Sequence, residues 1–184
     1  MWERANGIDY SAVIPYSAQK SMSKESTFNK DTTNVNFLRQ EVIAMVSELA
    51  FDLRKIKHLT GCVTVKIRYA DFDTQTRQIA VSYTAADHVL RQYALDLFDK
   101  LYNRRMLIRL IGVHLTKLAA GGNQLNLFDN SSIISPLYQA MDKVRLKYGL
   151  GAVKPASTLG LRERDPFSIE NKGPIRSAIA RNYS

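Results

Sequence analysis

The chain has 184 residues, 26 Lys and Arg against 17 Asp and Glu, a net charge of +9 and a single cysteine. That length holds one well-cored domain, or a domain and a tail. Cys62 has no partner for a disulfide within the chain, no apolar run approaches the roughly 20 residues of a membrane span, and the N-terminus carries no charged-then-apolar leader; a soluble, cytoplasmic protein without a membrane partner is the expectation. A pI of about 9.7 suits a polyanion such as DNA, RNA or an acidic membrane surface. A merely soluble basic protein accounts for the charge equally well.

Residues 1–18, with Gly7 and Pro15, read as an irregular lead-in. Residues 20–28 alternate, with Ser21, Ser23, Glu25 and Thr27 on one side and Met22 and Phe28 on the other, which predicts a strand with one wet face. A helix follows over 34–57, on an apolar stripe running from Val35 and Leu38 to Leu53 and Ile56, with Asp31, Thr32 or Thr33 to cap it. Strands are predicted at 62–70, with Val63, Val65, Ile67 and Tyr69 on one side, and at 76–84, with Ile79, Val81 and Tyr83 on one side. Asp71 to Gln75 supply the turn between them. A second amphipathic helix covers 87–102, with Asp87 as its N-cap. Residues 106–116 are apolar enough for a buried strand.

The order strand, helix, strand, strand, helix, strand is that of a split β-α-β-β-α-β sandwich, an α+β fold of two layers. Two helices cover one face of a four-stranded sheet and leave the other face open. After Leu118 a flexible AAGG stretch leads to QLNLFD at 124–129. A third amphipathic helix spans 135–148, with Leu137, Met141, Val144 and Tyr148 on one face. Residues 150–184 lack a period and read as mostly irregular.

Lys66 and Arg68 are two apart on one strand and so point to the same side. Lys20, Ser21, Ser23 and Lys24 surround the first strand, Arg77 and Gln78 begin the third, and Arg109 sits in the last. Gln78 is in the wet register, and Arg77 would reach the surface only from the strand's end. Cationic and hydroxyl donors of this kind bind phosphate oxygens and do not read bases. A solvated polar face is the plain alternative. An RNA-recognition module shares this element order but stacks bases on outward aromatics. Here Tyr69 and Tyr83 fall in core-facing registers, which disfavours stacking.

Asp71 and Asp73 lie in a turn, where Asp is ordinary, and Glu163 and Asp165 fall in the weakly structured tail. His58, His88 and His114 are scattered without a second ligand at metal spacing. No metal site, glycine-rich phosphate loop or nucleophile motif stands out. Gln124, Leu125, Leu127 and Phe128 form the sharpest short motif. In an extended form, Leu127 and Phe128 could fill a partner's pocket while Gln124 bonds at its rim. The same apolar residues could instead dock the third helix.

KSMSKESTF, GCVTVKIRYADF and IRLIGVHLTKL, in this order and spacing, resemble the little finger of Y-family DNA polymerases of the DNA polymerase IV type. RANGID looks like the end of the thumb and the tether, and the resemblance covers about residues 4–118. QLNLF is similar to the bacterial sliding-clamp-binding pentapeptide, and the helix ending in KYG followed by GAVKPAS resembles tails of this family. The resemblance implies that residues 1–18 end the thumb, 19–118 form a DNA-binding little finger, 119–130 link to it a clamp-binding peptide, 131–149 form a helix and 150–184 a basic irregular tail. It implies primer-template DNA and the sliding clamp as partners. Ser21, Ser23 and Lys24 match the strand that approaches a phosphate backbone, with Lys66, Arg68, Arg77 and Arg109 as further basic positions. Gln124, Leu125, Leu127 and Phe128 match the clamp peptide residue by residue.

The palm, fingers and most of the thumb have no counterpart here. The expectation is therefore no catalysis by this chain alone, and no cofactor in it, since magnesium belongs to the palm. The alternatives are a standalone nucleic-acid-binding protein that competes for the clamp and an enzyme on a ferredoxin-like fold, which would need an acid-base or metal site not found.

Overall fold

The computed structural model describes residues 2–8, 10, 19–120 and 131–159. The expectations for 11–18, for the peptide at 124–129 and for 160–184 lie outside these. After a short helix α1 (Trp2–Ala5) come β1 (Ser21–Thr32), α2 (Val35–Lys55), β2 (His58–Tyr69), β3 (Thr74–Thr84), α3 (Asp87–Leu101), β4 (Ile108–Ala120) and α4 (Ser131–Tyr148). The four strands form one sheet in the order β1-β4-β2-β3, and each neighbouring pair is antiparallel. β1 and β2 therefore run the same way with β4 between them, and β3 and β4 run the same way with β2 between them. Each of α2 and α3 crosses one intervening strand, which makes the split β-α-β-β-α-β sandwich expected from the sequence.

The core lies between the sheet and the two crossover helices. Val63, Val65, Ile67 and Tyr69 of β2 and Ile111, Val113 and Leu115 of β4 meet Leu38, Val42, Met45, Leu49 and Leu53 of α2 and Leu90, Ala94, Leu97 and Phe98 of α3. Each large apolar side chain so buried contributes about 1.5–3 kcal/mol. Tyr69 is fully buried, and its hydroxyl donates to the Leu101 carbonyl at 3.3 Å. Burial raises its pKa above the ordinary value, with Arg104 pulling the other way.

Several expectations change. The α2 N-cap is Asn34, whose side chain accepts from the Phe37 N–H, rather than Asp31, Thr32 or Thr33. The strand β1 runs on to Thr32 and takes up Asp31 and Thr32, and Thr33 lies between the strand and the cap. Asp87 does not cap α3. Ala86 stands at that position, and Asp87 is the first helical residue, buried against Arg54. The strand β4 continues to Ala120, through the start of the stretch expected to be flexible. Residues 150–159 form two short 3-10 helices, at Leu150–Ala152 and Ala156–Thr158, with Thr158 buried.

The helix α4 docks by its polar side. Asp142 takes a two-point hydrogen bond from Arg54 at 2.6 and 2.9 Å, and Arg145 is buried beside Asp87 and Asp142 at 3.6 and 3.8 Å. Arg54 also bonds Asp87 and, at 2.7 Å, the Ala85 carbonyl, and its guanidinium lies 4.8 Å from the centre of the Tyr138 ring. Burial alone would lower the Arg54 pKa. The bonds to Asp142 and the charge of Asp87 reverse this and raise it. Of the stripe expected to pack, Leu137, Val144 and Tyr148 are exposed.

Candidate nucleic-acid interface

The open face of the sheet is a grid set by strand register. Reading across β1, β4, β2 and β3, one row holds Ser21, Thr116, Cys62 and Ala80. The next holds Ser23, His114, Thr64 and Gln78, then Glu25, Gly112, Lys66 and Thr76, then Thr27, Leu110, Arg68 and Thr74. These positions alternate with the core residues of each strand, because successive side chains point to opposite faces. None of these positions carries an aromatic residue, so the grid has no platform for base stacking. It offers hydroxyls, an amide and an imidazole around two cations and one carboxylate. The chain's net charge of +9 is thus not concentrated on this face.

The candidate residues divide accordingly. Ser21, Ser23, Lys66, Arg68 and Gln78 share the grid. Arg68 donates from Nε to the Thr74 hydroxyl at 2.8 Å. Lys20 is exposed just ahead of β1. Lys24 is not on the open face. It shares the parity of Met22 and Phe28, so its side chain turns to the helical layer and pairs with Glu48 of α2. Arg77 is opposite Val65, in the core-facing register, and stays exposed because β3 is an edge strand. Arg109 is the extra residue of a β-bulge, since Arg68 pairs with Leu110 but Tyr69 pairs with Ile108. Its guanidinium stacks 4.7 Å from the Phe72 ring centre, at the tip of the β2–β3 hairpin. Tyr83, expected to face the core, is 56% exposed: the β2–β3 register shifts between Ala80 and Thr84, and its ring lies over Gly61 at the end of the sheet.

Two residues of the face were not expected to act. Glu25 Oε1 lies 3.0 Å from Lys66 Nζ and 2.9 Å from His114 Nε2. The alternation of β1 puts Glu25 on the wet side, but the donors expected to bind phosphate, cations, hydroxyls and Gln78, do not include it. Gly112 was the available sign of its contacts, because a glycine inside a strand marks a close approach. A Cβ on Gly112 would lie 2.6 Å from Glu25 Cγ.

The turn carboxylates serve the turn. Asp71 Oδ1 accepts the Asp73 N–H at 3.0 Å, and Asp73 pairs with Arg104 at 2.8 Å. Among the described residues, no three of His, Cys, Asp and Glu come together as a metal site. No described helix is long and apolar enough to cross a membrane. The motif Gln124, Leu125, Leu127 and Phe128 lies outside the described residues.

The architecture places the chain among two-layer α+β sandwiches with one sheet face left uncovered by helices of the described residues. A family model described as the impB/mucB/samB family C-terminal domain matches residues 19–127. The chain belongs to this family, in keeping with its likeness to the little finger of DNA polymerase IV-type, Y-family enzymes. It is 34% identical to a DNA polymerase IV of Dehalococcoides mccartyi over 161 residues, 86% of this chain and 41% of that protein. It is 31% identical to the DNA polymerase IV of Clostridium acetobutylicum over 172 residues, 89% of this chain and 42% of that protein. The chain spans about two fifths of the length of these relatives. A solved complex of the beta-clamp processivity factor and the little finger domain of PolIV contains a chain 23% identical to this one, covering 59% of this chain and 99% of its own, with a TM-score of 0.46.

Proposed function

We propose that residues 19–120 grip the sugar-phosphate backbone of primer-template DNA with the open sheet face, as the C-terminal portion of a translesion DNA polymerase acting in DNA repair. Family membership supports the polymerase reading, and the grid is the observation that carries the gripping role. Seryl and threonyl hydroxyls, Lys66 and Arg68 are donors suited to phosphate oxygens, and no grid position carries an aromatic ring on which a base could stack. Binding of this kind is indifferent to sequence and sensitive to salt.

Residues 124–128 supply a second attachment in this reading, to a bacterial sliding clamp. Two linked sites raise residence on the template through effective concentration, without any new contact. Polymerase chemistry is assigned to no residue of this chain.

The test is titration of the chain with primer-template DNA and, separately, with a bacterial sliding clamp. Salt-sensitive DNA binding is expected, together with clamp binding that Leu127→Ala with Phe128→Ala abolishes while the fold is kept. Clamp affinity retained in that double variant would remove the clamp assignment. DNA binding that ignores salt would remove the backbone-gripping one.

A further inference from the structure

We propose that Lys66 and His114 form a seat for one phosphate group, and that Glu25 occupies this seat as an internal stand-in until a phosphate displaces it. The inference rests on the backbone-gripping role of the open face and adds a specific site to it.

Three observations meet at one point. Lys66 Nζ and His114 Nε2 come from neighbouring strands, and both approach the same oxygen, Glu25 Oε1, at 3.0 and 2.9 Å. Lys66 also reaches Oε2 at 3.1 Å. Lys66 donates to that oxygen, and His114 Nε2 does so when it carries the proton; a phosphate oxygen accepts from such groups in the same way. Next, Glu25 belongs to β1 and Lys66 to β2, with β4 between them. The Glu25 side chain crosses that strand over Gly112, where any Cβ would meet its Cγ at 2.6 Å and its carboxyl carbon at 3.3 Å. A strand-interior glycine has a conformational cost, and here it clears the path of the carboxylate. Finally, the pair is partly exposed, the side chains of Lys66, Glu25 and His114 being 22%, 31% and 31% accessible. Ion pairs in such positions are weak, so an incoming phosphate meets a small barrier. The displaced Glu25 can swing toward solvent at the outer strand, β1.

The stand-in has a consequence for binding. Without Glu25, Lys66 and His114 would face DNA with no competing anion. The carboxylate therefore lowers affinity at this point and lets the face release a backbone it has no need to hold in one register.

The experiment measures binding of labelled primer-template DNA to the full chain and to Glu25→Gln, Glu25→Ala, Lys66→Met and the Glu25→Gln Lys66→Met double variant. Asp99→Asn removes an equal charge on the helical layer, where Asp99 pairs with Arg39, and serves as the control for overall charge. Glu25→Gln and Glu25→Ala are each expected to tighten binding roughly two- to fivefold, with Asp99→Asn near wild type and the gain reduced in the Lys66→Met background. A gain equal in Asp99→Asn, an undiminished gain without Lys66, or weaker binding in Glu25→Gln overturns the inference. If Lys66→Met weakens binding but Glu25→Gln changes nothing, the seat fails while backbone gripping stands. If no variant binds DNA, both fail. The His114 ring resonances supply a second readout. A shift with DNA but not with inorganic phosphate at matched ionic strength assigns the seat to the nucleic-acid backbone. A shift with both assigns it to phosphate groups in general, and no shift with either overturns it.

Discussion

Arg54 of α2 and Asp142 of α4 are 88 positions apart in sequence and joined by two hydrogen bonds, Nε to Oδ2 at 2.6 Å and Nη2 to Oδ1 at 2.9 Å. The same guanidinium bonds Asp87 and the Ala85 carbonyl, so one residue ties α2, the start of α3 and α4 together. Polar contacts dock α4, and much of its apolar stripe stays outside. Asp142→Ala leaves Arg54 with Asp87, which limits the damage, and is expected to cost about 1–3 kcal/mol. The loss should be local. Hydrogen exchange in residues 136–148 should accelerate while the sheet amides keep their protection. Arg54→Met should cost more, because it leaves Asp87, whose side chain is 3% accessible, with Arg145 alone at 3.6 Å.

Gly112→Ala tests the crowding on the open face. The new methyl would meet Glu25 Cγ at 2.6 Å and the Lys24 carbonyl at 3.3 Å. The side chain can yield more readily than the backbone. A destabilisation of about 1–3 kcal/mol is expected, read by urea denaturation. A cost near zero would show that Glu25 has room to lie elsewhere.

Phe98 lies at the centre of the helical layer, fully buried and stacked on Tyr102 with centroids 5.8 Å apart. Phe98→Ala should cost about 3–5 kcal/mol. Tyr83→Ala, at an exposed site, should stay within about 0.5 kcal/mol. Paired thermal melts of the two variants check both.

Asp52 has a pKa above the usual carboxylate value. Burial is the main cause, with Lys24 opposing it and Glu48 adding to it. Since the folded value exceeds the unfolded one, the native state binds this proton more tightly. The stability it contributes is full below the unfolded pKa and is lost as pH rises through the folded value. Asp52→Asn should therefore be more stable than wild type near neutral pH, with the gap closing in acid. Urea denaturation at a series of pH values measures it.

The sandwich was legible because its signals are periodic. Val63, Val65, Ile67 and Tyr69 alternate with Cys62, Thr64, Lys66 and Arg68, and the alternation fixed which face each side chain meets. The side that Lys24 faces was legible too, since Met22 and Phe28 share its parity, although its charge alone points to the open face. Arg109 was not legible from alternation, because a bulge resets the count at that residue and no local pattern announces it. The docking of α4 was hidden for another reason. A stripe of Leu137, Met141, Val144 and Tyr148 signals burial when helices pack by apolar area, whereas here Arg54 and Asp87, distant in sequence, set the contact. Glu25 was placed on the correct side of β1, but its partners depend on the strand order β1-β4-β2, which periodicity does not give.

The most direct test of the backbone-gripping role is the salt dependence of DNA binding by Lys66→Ala with Arg68→Ala, measured on two unrelated primer-template sequences. Backbone gripping requires an equal loss of affinity on both sequences and a log K against log salt slope shallower by about 1–2, one for each phosphate contact removed. Unchanged affinity and slope, or a loss confined to one sequence, would contradict it.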